Sequence, residues 1–175
     1  MRKLLGSALL LAAVALIPAE SVAQRRAAAA RPAAQRTSFG LQLDWGSQTD
    51  FGIGGRAVFG LRSLFPGTPL DGIVSFDYYF PSGAPAGVSL HFWEINGNLV
   101  YRFRTPPRSS LAPYAGGGLN IAHSSASPGE STTDVDMNLL AGTTFKVKGS
   151  VTPFAEFRGV VGNANQVVIT GGVRF

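Results

Sequence analysis

The chain contains no cysteine, so disulfides, thiolate chemistry and Cys-ligated zinc are excluded. Charge is scarce. Only 14% of the residues are Asp, Glu, Lys or Arg, against about 25% in an average soluble domain. A water-soluble fold this poor in charge would present an unusually apolar surface. Beyond Ile17 no apolar run approaches the ~20 residues that a membrane-crossing helix needs. Histidine is limited to His91 and His123, which leaves little room for a histidine metal or catalytic cluster. A basic stripe of the kind a nucleic-acid duplex requires is missing as well. The formal net charge is +5, yet from Ser38 onward nine Lys/Arg balance nine Asp/Glu. The excess sits in the first 37 residues, and nucleic acid is not expected as a partner.

Those first residues read as export machinery. Met1-Arg2-Lys3 is a basic start, Leu4 to Ile17 an apolar core of signal-peptide length, Pro18 a breaker, and Ser21-Val22-Ala23 a small-residue cleavage site. Residues 1–23 are therefore expected to be a cleaved signal peptide with no lipobox cysteine. Residues 24–37 carry Arg25, Arg26, Arg31 and Arg36 and no acid, among six alanines and Pro32. That composition predicts a disordered basic tail, suited to anionic lipid or cell-wall polymer. Residues 38–175 form the single expected domain.

In that domain, glycine (22 in the chain) and aromatics (10%) are plentiful, which favours close-packed strands. Eight runs alternate apolar and polar side chains with period two, and turn formers separate them. One face carries Phe39-Leu41-Leu43-Trp45, then Phe51 to Phe59, Val74 to Phe80, Trp93 to Phe103, Leu119-Ile121, Val135 to Val147, Val151-Ala155-Phe157, and Val167 to Phe175. The other face is mostly polar. Each run approaches the about 9–11 residues of a tilted transmembrane strand, and an even count lets the sheet close without an edge. Asn96-Gly97 resembles a hairpin turn, but the apolar phase passes unbroken through Gly97. The connections expected are 46–50, 60–72, 81–89, 105–112, 124–133, 148–150 and 161–164. With a secretory leader, the arrangement predicts an all-β fold: an eight-stranded antiparallel up-and-down transmembrane β-barrel, apolar outside and polar within. Phe39, Phe59, Phe103, Phe145 and Phe175 fall at the end bearing the termini, expected to be periplasmic. Trp45, Phe51, Tyr78, Phe80 and Trp93 fall at the other, as two interfacial girdles require. A soluble lipocalin-like binder would turn the same apolar face inward.

The inward positions include six acids (Asp44, Asp77, Glu94, Asp134, Asp136, Glu156) and six bases (Arg56, Arg102, Arg104, Lys146, Arg158, Arg174). Equal numbers predict a mutually paired plug, since eight strands enclose only enough space for their own side chains. A narrow pore or proton path is the functional alternative. Catalytic patterns are thin. His123, Ser125 and Glu130 would need to meet within hydrogen-bond reach to form a hydrolytic triad, and the segment also reads as a polar loop. Asp134 and Asp136 share a face without forming a metal set. Gly116-Gly117-Gly118 lacks the Lys-Ser/Thr and helix start of a phosphate loop and reads as strand glycine. No catalytic, cofactor-binding or metal residue is assigned, and no cofactor is expected.

The leader, Pro113-Tyr114-Ala115-Gly116-Gly117-Gly118, Val151-Thr152-Pro153-Phe154-Ala155-Glu156-Phe157 and the terminal Gly171-Gly172-Val173-Arg174-Phe175 together resemble the OmpA/OmpX-like outer-membrane barrel family over residues 38–175. The resemblance implies an outer-membrane location and contact with outer-membrane lipids and lipopolysaccharide. It also implies recognition of Phe175 by the barrel-assembly machinery, and a monomer. It does not imply one activity, because the family includes adhesins, enzymes and structural barrels. Adhesin relatives present long outer loops, and the outer connections here are short. His123 and Ser125 share the two-residue spacing of the lipid A deacylases, small barrels of the same kind. Ala126 stands where those enzymes carry asparagine, and Glu130 is nearer than their acid. The expected function is a structural or interaction barrel without enzymatic activity; a lipid A deacylase-like hydrolase and a narrow pore for small solutes are the alternatives.

Overall fold

The computed structural model describes residues 37–163 and 165–175. The expected signal peptide and all but the last residue of the basic tail lie outside the described residues. Eight strands follow one another: β1 (Ser38–Gly46), β2 (Asp50–Gly60), β3 (Leu70–Phe80), β4 (Ser89–Arg102), β5 (Leu111–Ser127), β6 (Ser131–Phe145), β7 (Thr152–Val161) and β8 (Gln166–Arg174). Each pairs antiparallel with its chain neighbours, and β1 pairs with β8, so the sheet closes into a barrel with no free edge. The Phe39 and Phe175 backbones exchange hydrogen bonds of 3.2 and 2.9 Å at the seam.

The period-two pattern decides which way each side chain points. Leu41, Ile95, Leu139 and Ile169 are exposed on the outside, whereas Gln42, Glu94, Asn138 and Thr170 are buried inside. The polar face is therefore the inner one, opposite to a soluble lipocalin-like binder. The outer face is a continuous apolar band, and water does not solvate such a surface at this scale. Aromatics gather at both ends of the band. Phe51 stacks on Phe80 at 6.3 Å and Phe76 on Trp93 at 6.1 Å toward one end; Tyr101 meets Phe103 edge-on at 5.3 Å at the other. Phe59 folds over Gly72, its register partner on β3, and any β-carbon there would meet the ring.

Several boundaries differ from the expectation. β3 begins at Leu70, which takes Asp71 out of its connection and into the sheet. β4 begins at Ser89, ahead of Trp93. Residues 124–133, expected as a loop, are mostly strand: β5 runs to Ser127 and β6 starts at Ser131, with Ser125 paired to Ser131. Polar composition hid this extension, because a strand projecting past the bilayer no longer needs an apolar face. At the opposite end, β4 stops at Arg102 and β6 at Phe145, short of Arg104 and of Lys146 and Val147. β4 passes straight through Asn96-Gly97, and Gly116 to Gly118 are strand residues of β5. There an added β-carbon on Gly116 or Gly118 would fall within 2.0 Å of a β4 carbonyl oxygen. Only glycine permits that approach.

Single cysteines provide the direct check of sidedness. In lipid vesicles, cysteines at Leu41, Ile95, Leu139 and Ile169 should be quenched by lipid-phase reagents. Those at Gln42, Glu94, Asn138 and Thr170 should not. Equal quenching of the two sets would refute the inside-out arrangement.

Candidate functional site: the barrel interior and its two mouths

Every strand contributes to one buried polar network. On β1, Gln42 donates to Asp77 Oδ1 at 2.7 Å and accepts from Arg56 Nε. Arg56 of β2 makes a bidentate ion pair with Glu156 of β7, at 3.0 and 3.2 Å, and lies 4.1 Å over the Phe154 ring. Tyr114 of β5 donates to the same carboxylate at 2.8 Å. Asp77 accepts from Ser75 at 3.0 Å and from Asn96 at 2.9 Å. Asn96 in turn accepts from Asn120 and Asn138 at 2.9 and 2.8 Å. Arg158 reaches Glu94 at 2.8 Å, Asp77 at 3.7 Å and the Tyr79 hydroxyl at 3.2 Å. Gln166 of β8 donates to Glu94 at 2.5 Å, and Thr170 to Asp44 at 2.5 Å. Toward the end bearing the termini, Val58, Ile73, Val100, Tyr114 and Leu140 form an apolar layer across the lumen. Inward glycines make room for the larger groups: the Asp77 carboxylate occupies the space a β-carbon on Gly54 would take. The interior is thus filled by its own side chains, as an eight-stranded barrel requires.

The expected balance of six acids and six bases is not what the fold builds. Two arginines, Arg56 and Arg158, pair with three buried acids, Glu156, Glu94 and Asp77, while buried Asp44 is held by Gln42 and Thr170. Arg102 pairs with Asp71. Continuing the alternation back from Ile73 would have turned Asp71 inward and found this partner. Arg104 and Lys146 lie beyond their strand ends and are exposed, Lys146 donating to Thr105 at 3.1 Å. Asp136 accepts from the Asn163 backbone at 2.6 Å.

Charge is segregated along the barrel axis. The rim where β1 begins and β8 ends carries Arg62, Arg102, Arg104, Arg108, Lys146, Lys148 and Arg174, against Asp71. Among the described residues the opposite rim carries Asp50, Glu130, Asp134 and Asp136 and no Lys or Arg. Its connections are short and tied together. Asp50 accepts from the Ser82 backbone and hydroxyl at 2.8 and 2.6 Å, and Gln48 donates to Asn165 O at 2.5 Å.

A cleft of about 290 Å³ opens at this acidic mouth, lined by Thr49, Leu90, His91, Phe92, Ser124, Ser125, Glu130 and Gln166 among others. His123 is not part of it. Its ring stacks on Trp93 at 5.0 Å on the outer face, and its Nδ1 is engaged by the Thr133 hydroxyl at 2.8 Å. Ser125 instead sits opposite His91, whose Nδ1 is held by Tyr78 OH at 2.7 Å. The fold therefore brings Ser125 and Glu130 to one cleft and does not join His123 to them. Among the described residues no group of His, Asp or Glu side chains is placed to hold a metal ion.

A closed, eight-stranded barrel with a lipid-type exterior and a packed polar interior defines the small transmembrane β-barrels. Neisserial surface protein A has the same fold at 22% identity and a TM-score of 0.56, over 79% of this chain and 94% of that one. The N-terminal barrel of Pseudomonas aeruginosa OprF matches at 18% and 0.57, over 79% and 96%. A de novo designed transmembrane β-barrel matches at 15% and 0.50, over 79% and 92%. No protein-family model and no curated protein matches the sequence. The shared property is the fold, that of small outer-membrane barrels.

Proposed function

We propose that this protein is a small structural or interaction barrel of a Gram-negative-type outer membrane, monomeric and without enzymatic activity. In this proposal both termini are periplasmic and the acidic mouth faces outward. The observation that carries the reading is the filled lumen. A network reaching from Thr170 to Tyr114 and an apolar layer beneath it occupy the lumen, which supports a closed interior. The accessible surfaces are then the lipid face and the two rims, which suits a role in envelope organisation or partner contact. Outer-membrane lipid surrounds the band, and Phe175, exposed at the seam beside Phe39, is the residue offered to the assembly machinery.

Purified barrel in planar bilayers should give no steady conductance, and lipid A incubated with it should keep all its acyl chains by mass spectrometry. Conductance altered by replacing Glu94 or Arg158 would establish a pore. Acyl loss abolished by Ser125→Ala or His123→Ala would establish a hydrolase. Either result overturns the reading.

A further inference from the structure

The basic rim contains a cleft that none of the roles above uses. Between β2 and β3 the chain makes a compact turn, in which the Leu64 and Phe65 amides donate to Leu61 O at 3.0 and 2.8 Å. The turn is anchored to the end of β4 by Arg102 N donating to Pro69 O at 2.9 Å. Arg62 and Thr68 of this turn, together with Arg102, Phe103 and Arg104, line a cleft of about 440 Å³. Three guanidinium groups thus share one concavity with a hydroxyl. A single carboxylate, Asp71, offsets them, and it is engaged by Arg102 Nε. Among the described residues neither Arg62 nor Arg104 forms an ion pair, and both are exposed.

With Asp71 offsetting only one of the three, the remaining positive charge is stabilised by an anion, and guanidinium forks match phosphate oxygens in geometry. The surroundings say where that anion comes from. Leu64, Phe65 and Phe103 are 69%, 47% and 49% exposed beside the cleft. Exposed apolar side chains and cations thus share this rim, the combination suited to the level where acyl chains give way to headgroups. Among the described residues the opposite rim has no Lys or Arg and offers no equivalent.

We infer that Arg62, Arg102, Arg104 and Thr68 form a binding site for the phosphate of an anionic phospholipid headgroup in the leaflet at the rim bearing the termini. The site fixes the barrel's depth and favours anionic lipid around it. It rests on the transmembrane fold and not on the absence of a pore or activity. In the orientation proposed above, this leaflet faces the periplasm.

Native mass spectrometry of the full mature chain, released from micelles with equal phosphatidylglycerol and phosphatidylcholine, tests the site. Retained phosphatidylglycerol should exceed phosphatidylcholine by roughly tenfold, the scale of one charge-assisted contact. Arg62→Gln with Arg104→Gln should abolish the preference. Arg108→Gln with Lys148→Gln, which removes the same charge outside the cleft, should keep it. Equal retention of both lipids, or equal loss in both double variants, would overturn the site. Displacement of the lipid by inorganic phosphate would also overturn it, since it would mark a site for a soluble anion. So would binding to purified peptidoglycan sacculi that depends on Arg62 and Arg104 while the lipid preference does not. Should the cleft variant fail to fold, the salt dependence of the wild-type chain decides. About 0.5 M NaCl should erase an ionic preference, and a preference that survives it would refute the assignment.

Discussion

Arg158→Ala is expected to destabilise the folded barrel by about 3–5 kcal/mol, the range for removing one partner from a buried ionic cluster. The Arg158 side chain is 3% exposed, and the Glu94 and Asp77 carboxylates it faces are fully buried. Truncation would leave these acids, with Asp44 near them, buried without their ionic partner, since the remaining arginine, Arg56, is already paired with Glu156. It would also remove the donor to the Tyr79 hydroxyl. Reversible urea unfolding in lipid vesicles, followed by tryptophan fluorescence and heat-modifiable migration, measures the loss. Arg56→Ala should behave similarly, because it strips a bidentate pair from Glu156. Arg104→Ala, at the exposed rim, should change stability little. If Arg158→Ala unfolds at the wild-type midpoint, the lumen network is not a stability element, and the filled interior needs another explanation.

Leu139→Arg is expected to cost about 2–4 kcal/mol, the penalty for an arginine near the bilayer midplane on the lipid face of a barrel. Leu139 stands midway along the outward row Val135, Met137, Leu139, Ala141, Phe145 of β6 and is 61% exposed. In a soluble protein a residue that open would accept arginine at almost no cost. The substitution therefore distinguishes lipid from water as the outer solvent. Leu139→Ala controls for lost packing and should cost less. An arginine variant as stable as the alanine variant would mean that this face does not meet hydrocarbon.

The architecture was legible in the sequence because its governing rule is local. Successive strand residues point to opposite faces, so Phe39-Leu41-Leu43-Trp45 and the seven runs after it declare their outer face without knowledge of their neighbours. The glycine run 116–118 and the unbroken phase through Gly97 were readable for the same reason. Parity also named Asp44, Asp77, Glu94, Arg56 and Arg158 as inward residues. The 124–133 segment was not readable, because a strand above the bilayer has no solvent pattern to betray it. Partnership inside the lumen was equally hidden. Which carboxylate meets Arg56 depends on strand register and on how deep each residue lies across the barrel, and composition carries neither.

By itself, then, the sequence determined strand number, the outward and inward sets and the scarcity of chemistry-bearing residues, since each follows from alternation along a single strand. Only closure of the sheet decided the rest. It paired Arg56 with Glu156 across 100 residues of chain, and turned His123 onto Trp93 and away from Glu130's cleft. It also gathered the Arg62 turn and the end of β4 into one rim. Those relations are set by register and curvature, which arise only when all eight strands meet.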